Sequence, residues 1–351
     1  MSALDRCDLR ARVQKALDDF LRAHLPRLEH VSEELAPLGD ALVELVAGGK
    51  RLRPAFCFWG HRAAGGSDTD ALVVAAAALE LFQACAIVHD DVMDDSDTRR
   101  GRPAVHRRFA AMHRAEDWHG SPEAFGSGSA ILLGDLCLSW SDQMLRSSAH
   151  PGLPDALPVY DEMRSELMGG QYLDLLEQAR GGGSVERALR VARWKSAKYT
   201  IEKPLHLGAR LAGAPPEVLD ALSAYGLPLG EAFQLRDDVL GVFGDPSVTG
   251  KPAGDDLREG KRTALVAMAL ERADPAQASV VRRHLGDPHL DAGGVEALRE
   301  VLSATGAVTR VEALIDALMT QAGEALQAAP LEAEARQVLS ELAVAATART
   351  V

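Results

Sequence analysis

Hydrophobic residues recur every three or four positions along most of the chain, with Ala, Leu, Glu and Arg at many of the positions between them. This is the period of an amphipathic α-helix, and it is clearest in residues 13–24, 71–88, 186–203 and 311–328. Runs of alternating Val, Ile and Thr bounded by hairpin turns are absent from the sequence. The pattern therefore predicts an all-α protein in which strands have little part.

Glycine and proline residues separate these helical segments, and no internal repeat of fixed period relates them to one another. The composition does not shift clearly anywhere along the 351 residues, so we predict one large domain. Residues 112–125, which include Trp118, Gly120 and Pro122, interrupt the helical pattern and predict a surface loop or insertion.

The composition is that of a globular protein, with 47% hydrophobic residues and material for a large core. The formal net charge of −13 argues against a general nucleic-acid binder, which needs a basic face to displace counterions from phosphates. The four cysteines show no Cys-x-x-Cys spacing, so neither a zinc site nor a disulfide framework is indicated. A reducing compartment fits this cysteine usage.

Two segments bear on targeting and membranes. Residues 1–12 are highly charged and lack the apolar core of a signal peptide. The longest apolar stretch begins at Ala71 but is interrupted by Glu80 and then by His89 and Asp90, so it is a poor candidate for a membrane span. We therefore expect a soluble, cytoplasmic protein.

An acidic cluster at residues 90–94 ends the most apolar segment of the chain. On a helix, Asp90 and Asp94 project from the same face, with Asp91 beside them. Carboxylates at this spacing repel each other and are costly at the end of a buried helix without a counter-ion. A divalent metal would resolve the conflict, and oxygen-only ligands favour Mg²⁺. Taken alone, the cluster is equally well explained as a solvated helix end.

A second acidic pair, Asp237 and Asp238, interrupts another apolar helical segment. Two such clusters facing each other across a helical bundle would hold metal ions between them. The pair therefore favours a metal site over two unrelated solvated patches.

Basic residues alternate with the two acidic clusters along the chain. Gly48 and Gly49 permit close backbone approach just before the first cations, and arginine forks match phosphate oxygens bidentately. The alternation suggests that cations bind one diphosphate directly while carboxylates bind another through Mg²⁺. The cations concerned are Lys50, Arg51, Arg53, Arg99, Arg100, Lys195, Lys251, Lys261 and Arg262.

The sequence resembles the trans-isoprenyl diphosphate synthases, or polyprenyl synthetases, because five motifs occur in the order typical of that family. It is especially similar to the bacterial geranylgeranyl type. The motifs begin at residues 49, 90, 99, 195 and 234, within a region from about residue 42 to residue 262 that C-terminal helices follow over residues 263–351. The resemblance implies a single polyprenyl synthetase domain over residues 1–351. It also implies a large helical bundle of the isoprenoid synthase type I fold around a central active-site cavity, three Mg²⁺ ions and a homodimer.

The implied reaction is a head-to-tail, trans condensation of isopentenyl diphosphate with an allylic diphosphate (dimethylallyl, geranyl or farnesyl). Mg²⁺ and lysines would stabilise the negative charge on the departing diphosphate. The released diphosphate would accept the proton, so no side-chain base is required, and we expect His89 to be structural. The expected product is geranylgeranyl diphosphate, with farnesyl or longer polyprenyl diphosphates as alternatives.

The resemblance also implies roles for individual residues. Asp90, Asp94 and Asp237 match the metal ligands, supported by Asp91 and Asp238. Contacts to the allylic diphosphate are implied for Arg99, Lys195, Lys251 and Lys261, and the isopentenyl diphosphate pocket for Lys50, Arg51, Gln83 and Arg100. Gln171 and Ser196 match polar positions near the reacting carbons, and Gln234 matches a substrate-binding position of the second acidic motif.

Two positions depart from the family pattern. Residue 241 is Gly where many relatives have a third aspartate, so the second cluster is one carboxylate short in sequence. Ser196 replaces a common threonine and keeps the hydroxyl. Neither change removes an expected metal ligand.

The helix before Asp90 is expected to form the wall of the cavity that receives the growing product. Cys85 and Ala86 are small and leave room, whereas Phe82 lies eight residues before Asp90, roughly 12 Å down the helix. One hypothesis makes Phe82 the floor that limits product length; the alternative is that Phe82 only packs between helices.

Three other functions compete with this interpretation. A metal-dependent phosphohydrolase would use His89 and Asp90 with a further histidine such as His61. A class I terpene cyclase would share the first aspartate cluster but needs an Asn/Ser/Glu metal triad, which is not found near Asp237. A non-catalytic subunit of a heteromeric synthase would have lost some of the carboxylates or cations that this chain retains.

Overall fold

The computed structural model describes residues 3–181, 183–244 and 254–347, and helices account for nearly all of their regular structure. The α-helices are α1 (Leu9–Val31), α2 (Ala36–Val46), α3 (Leu52–Ala63), α4 (Asp70–Met93), α5 (Val105–Ala115), α6 (Pro122–Ser147), α7 (Leu153–Arg180), α8 (Val185–Val191), α9 (Lys203–Leu211), α10 (Pro216–Phe243), α11 (Asp255–Arg258), α12 (Ala264–Leu270), α13 (Pro275–His284), α14 (Ala292–Ala304), α15 (Ala307–Ala328) and α16 (Ala333–Thr347). A π-helix (Ala192–Glu202) joins α8 to α9, and two 3₁₀ segments lie at Ala3–Asp8 and Glu33–Leu35. The all-α prediction is confirmed.

Helix α4 occupies the centre of the bundle. The side chain of Thr69 caps its first turn by accepting a hydrogen bond from Leu72 N at 3.2 Å. By length and composition α4 is apolar enough to cross a membrane, yet 72% of its most apolar window is buried inside the protein. Neighbouring helices therefore cover most of the apolar surface of α4.

Hydrophobic residues form two clusters that meet at α10. The larger cluster surrounds α4 and includes Phe56 and Leu81, whereas the smaller one lies among α12, α14 and α15. Helix α10 contributes Leu229 to the first cluster and Leu235 to the second. The helix that carries Asp237 is thus fixed by packing on both sides.

The segment from α8 to α9 is one continuous helical run with a π-helical middle. The sequence pattern predicts a helix over residues 186–203, but it does not distinguish the wider π turns from α turns. Such turns are rare and occur frequently at functional sites. This one carries Lys195 and Ser196.

Residues 112–125 form a shorter loop than the sequence predicts. Helix α5 continues to Ala115, and α6 already begins at Pro122, so only residues 116–121 are irregular. The cause is local, because Ser121 accepts a hydrogen bond from Ala124 N at 3.2 Å and proline suits the first turn of a helix.

A short hairpin follows the first acidic cluster. Strands β1 (Thr98–Arg99) and β2 (Arg102–Pro103) pair antiparallel. Arg100 and Gly101 fill the two turn positions, both with positive φ, as tight hairpin turns require. The hairpin folds the chain back so that Arg99 lies against α4.

Candidate active site

The first acidic cluster lies at the C-terminal end of α4. Asp91 is 1% exposed and accepts a hydrogen bond from Arg99 Nε at 2.9 Å. Burial opposes the charge on Arg99, but the ion pair with Asp91 outweighs burial and raises the pKa of this guanidinium. Arg99, predicted to contact the allylic diphosphate, is thus held by Asp91, which ties the hairpin to α4.

Asp90 contacts two residues from neighbouring elements, Lys195 on the π-helix and Gln171 on α7. Lys195 Nζ lies 2.8 Å from Asp90 Oδ1, and Gln171 Nε2 donates a hydrogen bond to the same oxygen at 2.9 Å. Burial acts to raise the pKa of Asp90, but the charges of Lys195 and Lys261 outweigh it and hold the pKa below its ordinary value. Asp90 is therefore ionised at neutral pH.

Lys195 lies between two carboxylates. Its second partner is Asp174 on α7, at 2.7 Å. Gly170 permits this arrangement, because a Cβ there would lie only 2.5 Å from Lys195 N. No role is predicted for Asp174 from the sequence; its position one turn after Gln171, on the same helix face, was the available signal.

Asp94 is the least compensated carboxylate of the cluster. Its side chain is 1% exposed, and neither oxygen accepts a hydrogen bond from the described part of the chain. Lys261 Nζ lies 3.5 Å away. Burial, together with the nearby charge of Asp90, raises the pKa of Asp94 to about 6. An added cation would be stabilised here.

Lys261 connects α4 to the segment that follows α10. Its Nζ lies 2.7 Å from Glu259, 3.3 Å from Asp256 and 3.5 Å from Asp94. Burial would lower the pKa of this lysine, but the surrounding carboxylates, led by Asp256, raise it. Lys261 therefore stays charged and links the two acidic regions; neither Asp256 nor Glu259 is predicted as a site residue.

The second acidic cluster divides into one exposed and one buried carboxylate. Asp237 is exposed on α10, whereas Asp238 is 7% exposed and accepts a hydrogen bond from Gln234 Nε2 at 2.8 Å. Burial raises the pKa of Asp238 well above its ordinary value. Gln234, predicted to bind substrate, is thus engaged in holding Asp238.

Gly241 has a steric explanation. A Cβ at this position would lie 1.8 Å from Asp256 Oδ2. The carboxylate of Asp256, contributed by α11, therefore occupies the space that a side chain on residue 241 would fill. The second cluster is short of a carboxylate along α10 but not in space.

These residues suit magnesium. Their donors are carboxylate oxygens only, and the oxygens of Asp94 lack hydrogen bonds while repelling Asp90. Within the described ranges no three His, Cys, Asp or Glu side chains are already gathered around one point. Mg²⁺ commonly takes one or two carboxylates and completes its shell with water and substrate phosphates, which fits an open arrangement of Asp90, Asp94 and Asp237.

The structure places Arg51 differently from the prediction. Arg51 is 4% exposed, forms an ion pair with Glu80 and donates hydrogen bonds to Gln14 and to the carbonyl of Val46. Its guanidinium points into the protein because these partners lie there. Arg51 therefore stabilises the start of α3 and does not line a substrate pocket.

Arg53, two residues further along, has different partners. Its Nη2 donates to Thr200 Oγ1 at 2.8 Å, and its guanidinium lies 4.2 Å from the centre of the Tyr199 ring. Arg53 Nε is buried without an acceptor in the described residues. The Tyr199 hydroxyl donates to Gln83, so the π-helix brings Arg53 and Gln83 together.

Arg100 and Lys50 complete a cationic group at the start of α3. Both are exposed, and the Arg100 Nη atoms would lie 3.8 and 3.9 Å from a Cβ on Gly49. Desolvation lowers the pKa of Arg100, and the charges of Arg51, Arg99 and Arg53 add to this effect against the opposing charge of Glu80. Crowded cations of this kind attract a polyanion. We call Lys50, Gln83, Arg53 and Arg100 the basic half of the site, and the carboxylates with Lys195 and Lys261 the acidic half.

Two predicted substrate contacts remain. Ser196 is half-buried on the π-helix, one residue after Lys195. Lys251 lies outside the described residues.

The predicted chain-length residues lie along α4 below Asp90. Phe82 is 1% exposed and packs edge-on against Tyr160 and Tyr199, with ring centroids 5.9 and 5.4 Å away. Cys85 is buried, with Sγ 3.7 Å from His89 Nδ1, and Ala86 is half-buried. These contacts favour the interpretation of Phe82 as a packing residue.

The histidines needed by a phosphohydrolase have separate partners. His89 Nε2 lies 3.1 Å from the carbonyl of Ile131, and His61 Nδ1 lies 3.2 Å from the carbonyl of Gly208. His61 is also packed edge-on against His150. The structure thus gives these residues structural contacts and does not support that alternative.

Comparison with known proteins identifies the family. The Polyprenyl synthetase family matches residues 36–302. A geranylfarnesyl diphosphate synthase from Aeropyrum pernix is 32% identical over 87% of this chain and 91% of its own length, and a heptaprenyl diphosphate synthase component 2 from Geobacillus stearothermophilus is 33% identical over 94% and 97%. A crystal structure of geranylgeranyl pyrophosphate synthase from Corynebacterium glutamicum, complexed with isoprenyl diphosphate and magnesium, superposes with a TM-score of 0.94 at 42% identity over 97% of this chain and 99% of that one. This chain belongs to the polyprenyl synthetase family of trans-prenyltransferases, with their isoprenoid synthase fold.

Proposed function

We propose that this chain condenses isopentenyl diphosphate with an allylic diphosphate in a Mg²⁺-dependent, head-to-tail, trans reaction. The observation that carries the proposal is the contrast between the two halves of the site. In one half, the buried oxygens of Asp94 accept no hydrogen bond from the described residues and have Lys261 nearby, at 3.5 Å. The other half is built from crowded cations around Arg53 and Arg100. Two anions of the same charge, one bound through metal and one bound directly, fit this arrangement.

The acidic half takes the allylic diphosphate. Asp90, Asp94 and Asp237 would hold Mg²⁺, for which we propose three ions, and the metal would neutralise charge on the phosphate oxygens. Lys195 and Lys261 already lie beside these carboxylates and donate to the diphosphate when it arrives. Their fixed charges stabilise the leaving diphosphate without reorganisation.

The basic half takes isopentenyl diphosphate. Lys50, Arg53 and Arg100 contribute the positive charge, and Gln83 contributes an amide. Arg51 supports this half from beneath through its buried ion pair with Glu80. The π-helix reaches both halves, because Lys195 contacts Asp90 while Thr200 contacts Arg53.

The reaction proceeds by ionisation, condensation and elimination. The allylic carbon–oxygen bond breaks, and its electron pair leaves with the diphosphate. The double bond of isopentenyl diphosphate then supplies the pair for the new carbon–carbon bond. Loss of one proton to the released diphosphate restores a double bond, so the described residues need to provide no separate base.

We propose geranylgeranyl diphosphate as the product. The support is the 42% identity to a structure named as a geranylgeranyl pyrophosphate synthase. Two relatives that are 32% and 33% identical to this chain are named for geranylfarnesyl and heptaprenyl products. Family membership alone therefore leaves the product length open.

The test is incubation of the purified chain with Mg²⁺, isopentenyl diphosphate and each of the dimethylallyl, geranyl and farnesyl diphosphates, with mass analysis of the extracted products. We expect linear prenyl diphosphates and none when Mg²⁺ is chelated. Phosphate release without chain growth would favour a hydrolase, and a cyclic hydrocarbon a cyclase. Inactivity without a second protein would favour a non-catalytic subunit.

We also propose that the protein is a cytoplasmic homodimer formed from one-domain subunits without a membrane span. The support for association is the exposure of large apolar side chains on α6, where Leu132 is 64% and Ile131 45% exposed. Light scattering after gel filtration tests it, and a monomer at micromolar concentration would contradict it.

A further inference from the structure

Two helix ends meet in the acidic half of the site. One is the C-terminus of α4, which carries Asp90 and Asp94, and the other is the C-terminus of α11, shortly before Lys261. Lys261 Nζ lies 3.5 Å from Asp94 Oδ2, so the two ends are close together. A contact that fixes their separation also fixes the separation of groups that the proposed function assigns to metal and diphosphate.

Helix α4 ends in a Schellman motif that buries the side chain of Ser96. Asp95 adopts the left-handed conformation, with a φ of 53°, and Ser96 N donates to the carbonyl of Asp91 at 3.0 Å. Ser96 is only 3% exposed, although Asp95 and Asp97 on either side of it are exposed. The turn thus directs one hydroxyl into the protein.

Helix α11 ends in the same motif. Gly260 has a φ of 75°, and Lys261 N donates to the carbonyl of Asp256 at 3.0 Å. A Cβ on Gly260 would lie 2.9 Å from Gly286 Cα, so this turn packs closely against the loop after α13. On the two sides of Gly260, Lys261 Nζ lies 2.7 Å from Glu259 Oε2.

A buried hydrogen bond joins the two motifs. Ser96 Oγ donates to Glu259 Oε1 at 2.5 Å, and the Glu259 side chain is 6% exposed. A hydrogen bond to a charged group is about twice as strong as one between neutral groups, and a low local dielectric strengthens it further. Glu259 therefore contacts the end of α4 with one oxygen and Lys261 with the other.

We propose that Ser96 and Glu259 are positioning residues that hold Lys261 and the first acidic cluster at the separation needed to bind one metal–diphosphate complex. The proposal rests on the proposed function, in which the acidic half takes the allylic diphosphate. Lysine carries its charge on a flexible stem, and a carboxylate that is itself fixed by Ser96 restricts where that charge lies. Without the Ser96 hydroxyl, ligand binding would have to order Glu259 and Lys261, which weakens affinity.

Ser96→Ala tests the contact itself because it removes a single hydroxyl. In a chelator, hydrogen exchange measured by mass spectrometry should become about tenfold faster in peptides that cover residues 255–263, as expected for loss of a hydrogen bond to a charged group.

The same variant tests the consequence for binding. Calorimetric titration with inorganic diphosphate in the presence of Mg²⁺ should give a Kd about tenfold higher than that of the unmodified chain. The KM for the allylic substrate should rise with it, whereas the KM for isopentenyl diphosphate should change little, because the basic half is not involved.

Two further variants serve as controls. Ser303→Ala removes an exposed hydroxyl on α14 and should alter neither exchange nor binding. A double variant combines Ser96→Ala with Glu259→Ala. Because Glu259→Ala already removes the contact, the double variant should bind the Mg²⁺ complex of diphosphate as Glu259→Ala alone does.

Unchanged exchange or an unchanged Kd in folded Ser96→Ala protein would overturn the inference. Equal rises in the two KM values would also do so, because a general loss of structure affects both substrates, and so would additive effects in the double variant. Absence of chain growth by the unmodified protein would instead overturn the proposed function, whereas the exchange measurement without metal still reports on the contact between Ser96 and Glu259.

Discussion

In the acidic half of the site, the carboxylates at the end of α4 already have lysines beside them from two other elements. Lys195 on the π-helix contacts Asp90, and Lys261 lies near Asp94. Each lysine also contacts another carboxylate, so neither charge depends on substrate to stay in place. Binding of the proposed metal and diphosphate here would require these lysines to exchange a carboxylate for phosphate oxygens.

The basic half is built in the opposite way. Next to it, Arg51 forms a buried ion pair with Glu80 and points away from the site. Arg53 packs on the Tyr199 ring, and its Nε has no acceptor among the residues that the structure describes. Arg100 lies close to the charges of Arg51, Arg99 and Arg53. This half is ready for an anion before the anion arrives. Anion binding in the acidic half thus depends on lysines that exchange a carboxylate partner for phosphate, whereas in the basic half it depends on cations that already lie close together.

Replacing Lys195, which pairs with both Asp90 and Asp174, should reduce activity more than any other substitution in the acidic half. Lys195→Ala deletes a charge that stabilises the leaving diphosphate and leaves Asp90 and Asp174 facing each other. We expect kcat to fall about 1000-fold, at the upper end of the loss for one charge-stabilising donor. Steady-state kinetics with Arg190→Ala, which alters only an exposed pair with Glu186, provides the control. Retention of kcat in Lys195→Ala would contradict the assignment.

The two arginines at the start of α3 separate structure from binding in the basic half. Arg51→Ala leaves Glu80 buried without its partner, so the free energy of unfolding should fall by about 3 kcal/mol. Arg53→Ala leaves no buried charge unpaired and loses only the contacts with Thr200 and Tyr199, so stability should fall by about 1 kcal/mol. The KM for isopentenyl diphosphate should rise about tenfold, with little effect on the allylic substrate. Thermal melts measure the effect on stability, and initial rates measure the effect on KM. If Arg53 were the structural residue and Arg51 the substrate contact, the two effects would be exchanged between the variants.

The sequence predicts those features that depend on neighbours along one helix. Asp90 and Asp94 share a face because they are four residues apart, and the helices follow from their hydrophobic period. Arg51 and Arg53 show the limit of this reasoning. Both follow the glycine turn, and which one points inward is decided by Glu80, which lies 29 positions from Arg51.

The remaining differences also come from long-range contacts. Lys195 and Asp174 are 21 residues apart and belong to different helices, so no local pattern announces their ion pair. The interpretation of Gly241 as a missing carboxylate fails to consider Asp256, which reaches the same space from α11. Composition and spacing identify the chemistry of a site, whereas the pairing of its charges is set by tertiary packing.

Substituting two aspartates of the first cluster should change the free energy of unfolding in opposite directions. Asp94 has a raised pKa, so its ionised form disfavours the folded protein without metal, and Asp94→Asn should raise the free energy of unfolding by roughly 2 kcal/mol. The gain is fully present above about pH 6 and disappears as the pH falls toward 3.8, where folded and unfolded states are both protonated. Asp91→Asn should lower stability because Arg99 loses its partner. Thermal melts in a chelator across pH 4–8 measure both, and a loss of stability in Asp94→Asn would contradict the account.

The exchange between Gly241 and Asp256 predicts the smallest effect. Gly241→Asp places a side chain where the Asp256 carboxylate already lies, so α11 has to shift and stability should fall by about 1 kcal/mol. Asp256→Gly alone relieves no clash and removes a partner of Lys261, which should raise the Mg²⁺ concentration needed for half-maximal activity. In the double variant, which combines Gly241→Asp with Asp256→Gly, the new side chain on α10 supplies a carboxylate in the space that Asp256 occupied. Both the loss of stability and the higher Mg²⁺ requirement should therefore be smaller. If the double variant is no better than the two single variants, the carboxylates do not substitute for each other, and the acidic half then depends on the position of α11 as well as on its charge.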